Sequence, residues 1–286
     1  MSAEQPATIR TRRLAGELRR LREVTGLTGD QAARQLGWDP SKLSRYETAR
    51  RRVQPKDLQV LLDLYAVADD RRQALVDLAR NARLKGWWDA YGDTLPTELA
   101  SYIALEAEAA SIRGFSAQII PGMLQTDEYA RSVIRAGLMD LLPRGEVERR
   151  VEARKTRQQL LSRAASPLNY WIILSEAALR NRVGSPEDMR AQCHHLMKLS
   201  RTANVTVQVL PFTSGTHPAT AGTFSILSFP ARYDDDVVYV ETLTGNLWVE
   251  DERDVHRYTL AFDHLRATAY EVEESFSFIA AVADEL

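Results

Sequence analysis

Gly26-Leu-Thr-Gly-Asp-Gln-Ala-Ala-Arg-Gln-Leu-Gly37, then Trp38-Asp-Pro-Ser-Lys-Leu-Ser-Arg-Tyr-Glu47, then Thr48-Ala-Arg-Arg-Arg52, is the stretch whose reading decides the fold. Gly26 closes a preceding helix, Arg12–Val24, whose Leu14, Ala15, Leu18 and Leu21 share one face. Thr28 is an N-cap for a short second helix with Ala32, Ala33 and Leu36 facing a core, and Gly37 ends it. After the tight turn Gly37-Trp38-Asp39 a third helix starts, with Asp39 as N-cap and Pro40 at the first position, where its missing N–H costs nothing. Leu43 and Tyr46 face inward. Ser41, Lys42, Ser44 and Arg45 are left at the N-terminal end of the helix, where a helix-turn-helix offers polar and cationic groups to the DNA major groove. Lys and Arg donate to guanine or phosphate, and Ser serves base edges or phosphate. Arg50, Arg51 and Arg52 follow, placed for backbone phosphates.

Working outward, Pro55 starts a fourth helix with Leu58, Leu61, Leu62 and Tyr65 as its apolar stripe, and Asp69–Leu84 reads as a fifth. At Lys85-Gly86-Trp87-Trp88 the composition changes, which predicts two domains: 1–85, all-α, and 86–286, larger and α+β. Charge divides at the same place. Residues 1–86 hold 18 Lys and Arg against 11 Asp and Glu, while residues 87–286 hold 19 against 28. A basic head on an acidic body points to a polyanion met by the head alone. The one cysteine, Cys193, rules out an internal disulfide framework and fits a reducing compartment. Without a signal peptide or a membrane-spanning run, a soluble cytoplasmic protein is expected.

In the body, Thr97–Arg113, Asp127–Gly137 and Arg144–Arg163 read as helices. About five strands follow: Leu168–Leu174, Val205–Leu210, Thr223–Phe229, Val237–Glu241 and Asn246–Val249. Between and after them come helices Glu176–Arg182, Pro186–Arg201, Asp251–Ala269 and Val272–Ala283.

The body's reactive residue types do not assemble into a catalytic set. Cys193-His194-His195 lies within one helix, where neighbours diverge by about 100°, so one metal cannot take all three. Asp234-Asp235-Asp236 lacks the spacing of a calcium loop and reads as a solvated turn. Ser214-Gly215-Thr216-His217 reads as a connection between strands that could also cover a pocket. Glu106 and Arg113, two turns apart if the helix is continuous, read as a structural polar network or an effector contact. Trp87 and Trp88 read as a clamp of the linker or as a ligand-stacking pair. The candidate effector or partner site is thus Trp87, Trp88, Glu106, Arg113 and His217. No enzyme activity, metal or cofactor is expected.

Leu27-Thr28, Ala33-Arg-Gln-Leu-Gly37 and Ser41-Lys-Leu-Ser-Arg-Tyr-Glu47 resemble the lambda-repressor-like (XRE-type) helix-turn-helix family. That resemblance implies a DNA-binding surface at Thr28, Gly29, Ser41, Lys42, Ser44, Arg45 and Arg50–Arg52, and an ion pair of Arg22 with Glu47. Two positions depart from the pattern. Gly29 stands where members often carry a DNA-contacting Gln, and Ala49 stands where they favour a C-cap Gly. The body resembles the poorly characterised domain of actinobacterial WhiJ-type, antitoxin-like regulators. The segments that carry this are Tyr102–Ala109, Ile119–Thr126, Val205–Pro211, Gly222–Leu227 and Tyr239–Thr242. The two resemblances together imply a transcriptional regulator, dimeric on a pseudo-palindromic operator in double-stranded DNA, controlled by a small molecule or a small partner protein. Two alternatives stay open: an antitoxin acting mainly on a partner protein, and an enzyme with a DNA-targeting head.

Overall fold

Three helix ends in the first 67 residues are built to one plan, and they set the path of the chain. Helix α1 (Ile9–Val24) stops at Gly26, α2 (Gly29–Gln35) at Gly37, and α4 (Pro55–Leu64) at Ala66, all with positive φ. At each, the positive-φ residue donates its N–H back to the penultimate helical carbonyl, and the next residue donates to the carbonyl before that. The pairs are Gly26 to Glu23 and Leu27 to Arg22, Gly37 to Arg34 and Trp38 to Ala33, and Ala66 to Asp63 and Val67 to Leu62. Between them lies α3 (Pro40–Glu47), and α5 (Asp69–Asn81) completes the bundle. Leu18, Ala32, Ala33, Leu43, Leu58, Leu61 and Leu62 form its core. Each fully buried Leu contributes about 1.5–3 kcal/mol.

The computed structural model describes residues 9–81, 87, 91, 95, 97–139, 141, 143–230, 236–243 and 245–286. The chain divides into two units, Met1–Trp87 and Trp88–Leu286. The boundary expected between 85 and 86 falls outside the described residues.

The second unit is a six-stranded mixed sheet with helices on both faces. Its elements are α6 (Thr97–Glu108), β1 (Ser111–Ser116), α7 (Asp127–Gly137), α8 (Arg144–Gln158), β2 (Asn169–Ser175), α9 (Glu176–Arg180), α10 (Pro186–Leu199) and β3 (Val205–Leu210), followed by β4 (Phe224–Ser228), β5 (Val237–Glu241), β6 (Asn246–Val249), α11 (Glu252–Thr268) and α12 (Val272–Glu285). The strand order is β3-β2-β1-β4-β5-β6. β1, β2 and β3 are parallel, and every other pair is antiparallel. Phe115, Ile173, Phe224, Ile226 and Val238 meet Phe262 and Leu265 of α11 on one face. On the other, Tyr102 of α6 lies on Tyr239 at 4.4 Å between ring centroids. The outer edge of β3 is closed by the chain that follows. Val209 donates its N–H to Ser275 Oγ at 2.9 Å, and its carbonyl accepts from Tyr270 N–H at 2.9 Å. No helix among the described residues is long and apolar enough to cross a membrane.

The expected helix Thr97–Arg113 is corrected here: α6 ends at Glu108 and the chain enters β1, a sixth strand. The Ala- and Glu-rich run before it masks the boundary. β1 is held by pairing on both sides, Ile112 opposite Tyr170 and Leu227, rather than by its own strand propensity. Gly114 makes that pairing close. A Cβ there would stand 2.5 Å from the carbonyl oxygen of Phe224.

Candidate nucleic-acid interface

The first turns of α2 and α3 are fixed by their caps. Thr28 Oγ1 accepts from Gln31 N–H at 3.2 Å, while Gln31 Oε1 accepts from Thr28 N–H at 2.8 Å, a reciprocal box. Asp39 accepts from Ser41 N–H at 2.8 Å and Pro40 opens α3. The two helices are tied to α1 by Arg22. Its Nε and NH2 meet the two carboxylate oxygens of Glu47 at 2.8 and 3.0 Å, and its NH1 donates to the Leu27 carbonyl at 2.7 Å. The pair is nearly enclosed, with 11% and 8% of the side chains exposed. The Glu47 hydrogen bond raises the Arg22 pKa despite the opposing effect of burial. One arginine thus joins the end of α1, the entry to α2 and the end of α3.

Lys42, expected among the DNA-contacting residues, is engaged within the unit. Its Nζ lies 2.9 Å from Asp57 Oδ1 and 3.8 Å from the centroid of the Trp38 ring. Asp57 also accepts from the Tyr46 hydroxyl at 2.6 Å. Lys42 and Tyr46 are four residues apart and share a helix face, and Tyr46 defines the buried face. Lys42 therefore flanks the core and clamps α3 to α4. Burial and the Asp57 bond push the Tyr46 hydroxyl up to about 12.

Ser41, Ser44 and Arg45 remain exposed. Arg45 folds back along the helix, its Nε donating to the Ser41 carbonyl at 3.0 Å and its NH2 to Ser41 Oγ at 3.1 Å. Together these two side chains present one edge of donors and acceptors. Ala49, at φ +57°, turns the chain so that Arg50, Arg51 and Arg52 lie exposed beyond the helix end. Thr28 is exposed and nothing fills the space where a side chain on Gly29 would stand. A hollow of about 420 Å³ opens there, bordered by Arg19, Gly29, Asp30, Ser41, Ser44 and Thr48. The surface is concave, carries several cations and presents polar groups from two helix starts, features that suit a nucleic-acid backbone and its base edges.

Of the expected effector residues, Glu106, Arg113 and His217 lie in the second unit, each with its own neighbours. Glu106 is fully buried and pairs with Arg157 of α8, Oε1 to Nε at 2.7 Å and Oε2 to NH2 at 2.8 Å. Arg113, on β1 rather than on a helix, pairs with Asp236 at 3.2 Å. This corrects the expected Glu106–Arg113 face, which the strand removes. His217 lies edge-on to Phe115 at 5.3 Å, its Nδ1 buried without a hydrogen-bond partner. Trp87 is half-buried, whereas Trp88 and Asp234-Asp235 lie outside the described residues. Cys193 is fully buried and burial pushes its thiol up to about 11. Among the described residues no cluster of three or more His, Cys, Asp or Glu could hold a metal.

Asp57 and Trp38 carry weight in this surface that their places in the sequence do not announce. The signal for Asp57 is an acidic residue in the first turn of α4, which by itself reads only as favourable helix electrostatics.

Residues 13–75 match a family model described as a helix-turn-helix domain. Residues 99–281 match a model described as a domain of unknown function, DUF5753. Neither a curated protein nor a solved structure matches the chain.

Proposed function

We propose that this chain, which belongs to the DUF5753 family and carries a helix-turn-helix domain ahead of it, is a sequence-specific transcriptional regulator. On this reading it is an XRE-type, WhiJ-like actinobacterial regulator working in the cytoplasm as a homodimer on a pseudo-palindromic operator. Half-sites then lie about 10 bp apart, one helical turn. The second unit receives the controlling signal, from a small molecule or a small partner protein, without catalysis of its own.

One observation carries the DNA reading. The α2–turn–α3 unit is locked by Arg22–Glu47 and Lys42–Asp57, while Ser41, Ser44 and Arg45 stay exposed. A recognition helix needs its outward groups exposed and its inward groups fixed, and this one has both.

The test begins by selecting operator sequences from random duplexes with the purified full chain, followed by gel-shift titration at fixed salt. Arg45→Ala is expected to weaken the selected site by about 1–3 kcal/mol and to relax preference at one base position. Lys42→Ala is expected to act on thermal stability more than on base preference. Failure to enrich any sequence would overturn the reading.

A further inference from the structure

The connection from β3 to β4 borders a cavity of about 290 Å³ in the second unit. The connection contributes Ala219, Ala221 and Gly222, α11 contributes Tyr258 and Ala261, and the sheet contributes Phe224 and Val240. Small residues make the space. Gly222 takes a φ of +129°, which favours glycine, and nothing lies within 4 Å of where its Cβ would stand. The lining is held in place by its own contacts. Ala219 is buried and belongs to the core cluster of Phe224 and Phe262. Gly222 donates its N–H to the Ala219 carbonyl at 3.1 Å, and Thr223 Oγ1 accepts from Ala117 N–H at 3.1 Å. The Tyr258 ring stands edge-on to Phe224, with 5.1 Å between centroids.

Size and chemistry narrow the occupant. An apolar cavity of roughly 150 Å³ is enough to take up benzene. One turn of helix, about 10 Å across and 5.4 Å high, exceeds the space here. The cavity therefore suits one or two rings rather than a segment of another protein. Its lining is mostly apolar, and the one charged side chain on it is already answered. Arg257 is 80% exposed and donates to Asp254 at 3.1 Å, so no unmet charge calls for an ionic ligand. The Tyr258 hydroxyl makes no hydrogen bond with any described residue. A single polar group of this kind in an apolar pocket fixes the orientation of what binds there.

We propose that this cavity binds a small, uncharged aromatic molecule of one or two rings, whose polar substituent hydrogen-bonds the Tyr258 hydroxyl. The rings lie among Ala219, Ala221, Ala261 and Val240, beside the Phe224–Tyr258 pair. The assignment deepens, and rests on, the reading of the second unit as the part that receives a signal. Its test contains no DNA, so its failure and a failure of operator selection are told apart.

Phenol and toluene are the probes, because they share a ring and differ in the hydroxyl. Each is titrated onto the full chain and followed by saturation-transfer NMR. Saturable binding of phenol is expected. Tyr258→Phe keeps the ring and removes the hydroxyl, and should weaken phenol about three- to tenfold while leaving toluene unchanged. Ala221 is exposed in the free chain, so Ala221→Phe can fill the cavity without disturbing the core. It should weaken both probes at least about tenfold, with the unfolding temperature of the free chain retained. Ala261→Leu blocks the cavity from α11 and is an independent check, with the same loss expected. Absence of saturable binding by either probe overturns the proposal. So does binding unchanged in the two blocking variants, or a phenol affinity indifferent to Tyr258→Phe.

Discussion

Ala66 occupies at the end of α4 the position that Gly26 and Gly37 occupy in the two earlier helix ends, with the same pair of backbone hydrogen bonds. A left-handed residue with a Cβ costs about 1–2 kcal/mol, and glycine returns part of that as chain entropy in the unfolded state. Because Ala66 is exposed, its methyl has little packing to lose. Ala66→Gly is therefore expected to stabilise the first unit by roughly 0.5–1 kcal/mol in urea unfolding. Ala49 shares the strained φ but is buried at 9% exposure, so Ala49→Gly should come out near neutral. Asp57 gives a pH signature at the same scale. Burial pushes its carboxyl up, but the hydrogen bonds from Tyr46 and Lys42 outweigh that and hold it below the ordinary value. A carboxyl depressed on folding adds stability above its unfolded pKa, about 3.9 for Asp, and that stability is lost as pH falls through the lower folded value. Asp57→Asn is expected to cost about 1–3 kcal/mol at neutral pH and to flatten the acid limb of the unfolding profile. An acid limb unchanged from that of the parent would refute the assignment.

At the scale of elements, the contrast between α3 and β1 shows how much of this fold its residues announce. The first unit signals its helices locally: Thr28 and Asp39 cap, Pro40 and Pro55 start, Gly26 and Gly37 stop, and apolar positions recur at helical spacing. The Arg22–Glu47 pair and the exposure of Ser41 and Arg45 are legible from those signals and from family resemblance. The turn of Lys42 toward Asp57 is not, because it depends on where α4 lies against α3. β1 is illegible for a related reason, since only pairing with β2 and β4 makes a strand of Ser111–Ser116. Its Gly114 then looks like a weak strand residue, although the close approach of Phe224 requires it. Gly114→Ala is expected to destabilise the second unit by about 3 kcal/mol, because the obstructing atom is backbone and cannot rotate away. Urea unfolding followed by the second unit's tryptophan fluorescence measures this, and a cost below about 1 kcal/mol would mean that the sheet opens there freely.

For the whole molecule, the uneven distribution of charge favours the first unit as the one that meets DNA in the proposed function, and the exposed Arg50–Arg52 segment should then dominate the dependence on salt. Replacing all three by Ala is expected to reduce the slope of log affinity against log salt by about 3, close to one for each phosphate that is no longer neutralised. Discrimination between the operator and unrelated duplex should change little, since these residues lie beyond the helix that reads bases. Binding titrations over a range of salt concentrations distinguish the two effects.

The closure of β3 by Tyr270 and Ser275 has a consequence for biosynthesis. Every strand of the sheet leaves the ribosome before α12 does, so the β3 border is bare while Tyr270 and Ser275 are still to emerge. Unpaired strand edges are templates for adhesion to other chains. The nascent protein is therefore adhesive along that edge until Tyr270 and Ser275 have emerged and bonded Val209.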